Sequence, residues 1–217
     1  GFFLPAIVSG HLFKDVNGNG VQDPGEPDLA GVTVFVVTST GTVLSVETDA
    51  NGHWSASVPP GSTLIDIDEN DPQFPVGGVP TPGQPGTSVT AVAGQETSGG
   101  TLAFFVPAVI TGHLYLDRNG NGNQDLTVHN LANVDVIVTD SNGNTRIVTT
   151  DVEGNWRATV PPGPATATVD ITDPEYPAGS VVTEGALVTS FDAVAGATSP
   201  STPVGFFFPG NANGHLY

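Results

Sequence analysis

Residues 15–26 read Asp-Val-Asn-Gly-Asn-Gly-Val-Gln-Asp-Pro-Gly-Glu. Oxygen-bearing side chains recur at Asp15, Asn17 and Asn19 and again at Asp23 and Glu26, with Gly20 between the two groups. Alternate residues of a tight loop point inward, so this spacing gathers oxygens around one centre, and a glycine at the sixth position permits the sharp turn that a Cβ would obstruct. A hard cation that takes about six to eight oxygen ligands needs this arrangement, which is that of the twelve-residue calcium loop. In that reading Asp15, Asn17 and Asn19 bind through their side chains and Val21 through its backbone carbonyl. Asp23 binds directly or through water, and Glu26 closes the shell with both oxygens. A solvated Asn-Gly turn accounts for the glycines but leaves the acids at positions one, nine and twelve unexplained. Ca²⁺ is therefore the expected cofactor.

A second loop follows at residues 117–128, where Asp117, Asn119, Asn121, Asn123 and Asp125 repeat the ligand spacing. Its twelfth position is Val128, so the closing carboxylate is missing. Either an acid from elsewhere completes the shell, with Asp151 and Glu153 as candidates, or this site binds more weakly.

Both loops sit between strand-like segments, not helices. Gly10–Lys14 precedes the first loop and Gly31-Val32-Thr33-Val34-Phe35-Val36 follows it. A cation there ties the end of one strand to the start of the next, a structural role and not that of a helical sensor. Self-similarity organises the rest. Gly10-His11-Leu12-Phe13 recurs as Gly112-His113-Leu114-Tyr115 and as Gly214-His215-Leu216-Tyr217, each time 102 residues on, and Trp54 and Trp156 keep the same offset. The repeat predicts domains at 10–110 and 111–213, with 1–9 as the tail of a preceding repeat and 214–217 as the start of a following one. The ends are compatible with a window cut from a longer array or with strands donated between subunits of a polymer.

Within one repeat, alternating Val, Ile and Thr predict strands near 10–14, 31–38, 42–48, 53–58, 63–68, 88–93 and 101–106. Residues 69–87 and 172–187, rich in Pro, Gly and acids, read as surface loops. Trp54 and Trp156 alternate in phase with Val58 and Val160 and are expected in the core. The fold class is all-β, two tandem immunoglobulin-like or transthyretin-like sandwiches.

Four basic residues against 22 acidic ones leave a net charge of −18, too few cations for a general phosphate-binding surface. The same charge disfavours anionic lipid, and no apolar run approaches the roughly 20 residues needed to span a bilayer. With no Cys there is neither disulfide nor thiol chemistry, and the absence of Met marks a mature form or a fragment. An enzyme needs a nucleophile with its base. Three of the five histidines occupy the repeated Gly-His-Leu position, as a strand or junction residue would, and no carboxylate pair stands out. No enzymatic activity is expected. The competing expectation is an adhesin module that binds carbohydrate or host or matrix protein directly, with Phe74 and Tyr176 in the Pro-rich loops as its aromatic candidates.

The order Gly-x-Leu-Phe-x-Asp-x-Asn-x-Asn-Gly-x-x-Asp-x-x-Glu over 10–26, then Leu29-Ala30-Gly31-Val32-Thr33-Val34, Thr48-Asp49-Ala50-Asn51-Gly52-His53-Trp54 and Val58-Pro59-Pro60-Gly61, resembles the B-type repeat of serine-aspartate repeat adhesins. The wider group is the CnaB-like, prealbumin-type β-sandwiches of bacterial surface proteins. The resemblance implies an extracellular, calcium-rigidified rod at the cell surface, whose partners are neighbouring repeats or subunits of a fibre. It also implies further ions at acidic loops, with Asp66, Asp68, Glu69 and Asp71, and Asp170 and Asp173, as candidates. Many CnaB-like domains carry an intramolecular lysine isopeptide bond. Here Lys14 is the only lysine and its counterpart is Leu116, so the second repeat cannot form one and rigidity is left to calcium.

Overall fold

The computed structural model describes residues 4–82, 88–125 and 129–210. The chain divides into two compact units, Gly1–Pro107 and Ala108–Tyr217. In the first, the strands are β1 (Ala6–Lys14), β2 (Thr33–Val37), β3 (Val43–Glu47), β4 (His53–Val58), β5 (Gly61–Ile67), β6 (Val79–Pro80), β7 (Ser88–Ala91) and β8 (Glu96–Phe105). They form two sheets, β4-β1-β8-β6 and β3-β2-β5-β7. Pairing is antiparallel except between β1 and β8, which run parallel.

The second unit repeats the plan with β9 (Ala108–Leu116), β10 (Asp135–Thr139), β11 (Thr145–Thr149), β12 (Asn155–Val160), β13 (Gly163–Val169), β14 (Val181–Glu184), β15 (Val188–Ala193), β16 (Thr198–Pro200) and β17 (Val204–Phe207). Its sheets are β12-β9-β17-β14, with β16 also on β9, and β11-β10-β13-β15. The single long β8 thus corresponds to two shorter strands, β16 and β17, both parallel to β9.

Each unit has its own core, built from the inward positions of both its sheets. Val8, Leu12, Trp54, Ala56 and Val58 meet Val34, Val36 and Ile65 in the first, and Ile110, Leu114, Trp156 and Val160 meet Val136, Val138 and Ala167 in the second. The alternation that places these side chains is the period-two pattern of the sequence. The glycine of the Gly-His-Leu motif follows from the tryptophan opposite. A Cβ on Gly10 would lie 2.8 Å from the Trp54 indole, and on Gly112 2.5 Å from that of Trp156.

The architecture is all-β with no helix among the described residues, as expected, but three boundaries differ. The first strand begins at Ala6, so residues 6–9 belong to the unit's own sheet, with Ala6 facing Val58 and Ile7 facing Glu96. Ala6 and Val8 are fully buried in the same core as Leu12, which is why the chain is extended there. For the same reason β8 starts at Glu96, matching the length of its parallel partner. Third, the Pro-rich stretches are not wholly loop. They contribute the edge strands β6 and β14, and at an edge a proline's missing N–H costs no ladder bond. Residues 1–3, 83–87, 126–128 and 211–217, which include Val128 and the last Gly-His-Leu-Tyr copy, lie outside the described residues.

Candidate metal centre

The first loop leaves and rejoins the same strand end. Lys14 N–H donates to the Pro27 carbonyl at 2.8 Å, Asp15 N–H donates to Phe104 at 2.9 Å, and Phe13 forms a bridge with Asp28. Asp15, the first residue past β1, is fully buried at the root of the loop. Its Oδ1 accepts the N–H groups of Gly18 at 2.6 Å and Asn19 at 3.1 Å, and its Oδ2 accepts Gly20 N–H at 2.8 Å and the Thr81 hydroxyl at 2.7 Å. Gly18 and Gly20 have φ of 70° and 81°, the left-handed region that turns successive N–H groups toward one carboxylate.

Above Asp15 the other expected ligands converge. Asn17 Nδ2 and Asn19 Nδ2 both donate to Asp23 Oδ2 at 2.8 Å. Their Oδ1 atoms accept the N–H of Asn19 and Val21 respectively, which holds Val21 in the same turn. Glu26 folds back over the loop, its Oε1 accepting Val16 N–H at 2.7 Å and its Oε2 accepting Asp23 N–H at 3.0 Å. Among the described residues no three histidine or acidic side chains meet at a common point, so the convergence is of carboxylate with amide. An amide carries an oxygen acceptor beside its nitrogen donor; here both Oδ1 atoms are held by backbone N–H groups while Nδ2 faces Asp23. With Asn17 and Asn19 re-oriented to present oxygen, the donor set would be all oxygen and partly anionic, which fits a hard divalent cation.

The second loop has the same root. Asp117 is buried, its N–H donates to Phe206 at 2.8 Å, and its two oxygens accept Gly120 and Gly122 N–H, each at 2.8 Å. Burial opposes ionisation of Asp117. The Thr183 hydroxyl and the N–H groups of Gly122, Gly120 and Asn121 outweigh it and hold the carboxyl below the usual range. Thr183, the counterpart of Thr81, is buried beside this carboxylate, with no hydrogen-bond partner for its Oγ1 among the described residues. Asn119 Nδ2 reaches Asp125 Oδ2 at 2.6 Å. Asn121 and Asn123 are chained behind it: Asn121 N–H bonds Asn119 Oδ1, and Asn123 N–H bonds Asn121 Oδ1.

The other acids are used locally. Asp151, a candidate to complete the second shell, accepts Glu153 and Asn155 N–H in its own hairpin turn. Asp71 accepts both the N–H and the hydroxyl of Thr33, which with Gln73 N–H keep its carboxyl below the usual range. Asp68, Asp170 and Asp173 likewise accept N–H groups two residues on. The aromatic candidates are not exposed platforms. Phe74 is 4% exposed and meets Phe104 edge-on, and Tyr176 packs edge-on against Phe206. Phe74 joins the first core and Tyr176, half-buried, packs against the second, contacts that loop composition does not reveal.

Two features of the site are absent from the ligand spacing. Thr81, 66 residues from Asp15, completes the root of the first loop. In addition, the motif histidine latches the loop. His11 Nε2 lies 2.9 Å from Asp28 Oδ1, to which Gln22 donates at 2.7 Å. These bonds, with that of Gln22 the stronger, hold the Asp28 carboxyl below its ordinary value. In the second unit Gln124 lies 2.8 Å from His113 Nε2 and donates to Asn130 at 3.1 Å. Recurrence of His, Gln and Thr at the 102-residue offset is the signal that marks all three.

Residues 7–98 match the family model of the SdrD B-like domain. The chain is 27% identical over 222 residues to serine-aspartate repeat-containing protein D of Staphylococcus aureus strain Newman, covering 92% of this chain and 16% of that protein. It is 27% identical over 173 residues to serine-aspartate repeat-containing protein F of Staphylococcus epidermidis, covering 72% of this chain and 10% of that protein. The chain therefore spans less than a fifth of the length of either relative. A minor pilin of Streptococcus agalactiae aligns over 98% of this chain and all of its own, with 10% identity and a TM-score of 0.41, too low to establish a shared fold. The match to the SdrD B-like domain model thus lies within the first unit, and the second unit repeats the strand order and the loop spacing of the first.

Proposed function

We propose that this chain is a structural segment of an extracellular protein of the bacterial cell surface, in which calcium held by the loops at 15–26 and 117–128 stiffens tandem β-sandwich repeats. The observation that carries this reading is the placement of the loops. Each starts at the residue that follows its unit's first strand, is rooted on a buried aspartate and turns its Asn and Asp side chains toward one another. In the first unit Asp15, Asn17, Asn19, Asp23 and Glu26 would hold the ion through side-chain oxygens and Val21 through its carbonyl; in the second, Asp117, Asn119, Asn121, Asn123 and Asp125 are the corresponding set. The ion would supply positive charge where these acids gather and would join the loop to the sandwich edge. Its partners are neighbouring repeats or subunits of a fibre, and no catalytic role is proposed. Direct ligand binding through Phe74 or Tyr176 is not carried forward, because both rings are packed against their cores.

Thermal unfolding with calcium and with chelator tests the reading. A ligand at about 100 times its Kd adds about 2.7 kcal/mol per site, and 1 kcal/mol moves the midpoint of a domain of this size by about 4–8 °C. Calcium is expected to raise the midpoint by several degrees. Superimposable curves in calcium and in chelator would refute it.

A further inference from the structure

The two units serve as internal controls for one another, and they differ in a coordinated way around the metal loop. The first loop ends in its own carboxylate, Glu26; the second ends in Val128. At four positions related by the 102-residue offset, the first unit has Phe13, Pro82, Ala103 and Glu26, where the second has Tyr115, Glu184, Gly205 and Val128. The second unit has thus lost a carboxylate from the loop and gained one on a strand.

The gained carboxylate lies beside the loop that lacks one. Tyr115 donates its hydroxyl to Glu184 Oε2 at 2.7 Å, reaching from β9, two residues before Asp117, to the end of β14. The hydroxyl has room only because residue 205 is glycine: a Cβ there would stand 2.6 Å from Tyr115 Oη. The loop rests on the same strand. A Cβ on Gly122, at the loop's sharp turn, would lie 3.1 Å from the carbonyl of Thr183, the residue adjacent to Glu184. The Tyr115 hydroxyl is held strongly against ionisation, chiefly by burial and then by its bond to Glu184, and it also feels the charges of Asp117 and Asp125. Tyr115 thus links Glu184 to the end of β9, from which Asp117 opens the loop. Among the described residues only Tyr115 bonds the Glu184 carboxylate, which leaves Oε1 available.

We propose that Glu184 supplies the carboxylate missing from the second loop, so that the second calcium shell is drawn from two elements, the loop at 117–125 and strand β14. Tyr115 is a positioning residue that holds Glu184 at the loop through its hydroxyl, and Gly205 is the space that permits it. The inference rests on the calcium reading of the loops. It differs from the expectation that Asp151 or Glu153 closes this shell.

Calorimetric titration of the whole chain with Ca²⁺ tests it, using the wild type, Asp117→Asn, Glu184→Gln and Tyr115→Phe. The site lost in Asp117→Asn is that of the second loop. In Glu184→Gln this same site is expected to weaken by about ten-fold or more, the scale at which even outer-shell partners act. The first-loop site and the circular-dichroism spectrum stay unchanged. Tyr115→Phe weakens the second site by less, and Val128→Glu added to Glu184→Gln restores it. Wild-type affinity at the second loop in Glu184→Gln would overturn the role of Glu184 while leaving calcium binding intact. No calcium binding by the wild type would overturn both readings together.

Discussion

Asp15 carries more of the first loop than any other residue, because four donors converge on one buried carboxylate. Truncation removes the acceptor but leaves the donors in place, and a buried polar group without a partner costs about 1–3 kcal/mol. Asp15→Ala is therefore expected to destabilise the first unit by at least about 2 kcal/mol even in chelator, where loss of an ion cannot contribute. Thr81→Val removes a single bond and should cost about 1 kcal/mol. Denaturant unfolding of the two variants checks both the order and the size of these effects. Gly112 is constrained by packing instead. Gly112→Ala places a methyl against the Trp156 indole, and overpacking of this kind costs about 1–3 kcal/mol.

At the scale of elements, the acidic loops are fastened to strands by carboxylates that are more acidic when folded. Asp28 ties the first loop to β1 through His11, Asp71 pins the loop after β5 onto the start of β2 through Thr33, and Asp117 roots the second loop. All three have folded pKa values below the ordinary aspartate value of about 3.9. The sign follows from linkage: stability from such a group is fully present above its unfolded pKa and is lost as pH falls through the folded one. The midpoint of unfolding in chelator should therefore hold from neutral pH down to about 4–5 and decline below that. Asp71→Asn is expected to start from a lower midpoint and to decline less steeply, which a melting series across that range measures.

For the whole molecule, the two cores are separate sets of residues, one drawn from β1–β8 and one from β9–β17. Each unit buries its own Trp and closes its own pair of sheets, so each holds the apolar burial that drives folding. Substitutions at one root should then act on one unit. Differential scanning calorimetry of Asp15→Ala is expected to lower the transition of the first unit and leave that of the second in place. A single transition shifted as a whole would show that the units unfold together.

Much of this was legible in short stretches of residues. Ligand spacing at 15–26, the Val34 and Val36 alternation and the in-phase tryptophans each involve side chains a few positions apart, where backbone period alone decides which way a residue points. The 102-residue repeat implied two units of like elements in the same way, while the division between them falls at Pro107 and Ala108. What short spacing does not contain is any pairing made by closing the sheets. Thr81 meets Asp15 across 66 residues and Tyr115 meets Glu184 across 69, through edge strands hidden in Pro-rich stretches that read as loop. Phe74 lies in the first core and Tyr176, half-buried, packs against the second for the same reason, since both contacts need the closed sandwich. Local chemistry thus specifies the oxygen-rich loop, while the contacts that root and latch it exist only once distant strands lie side by side.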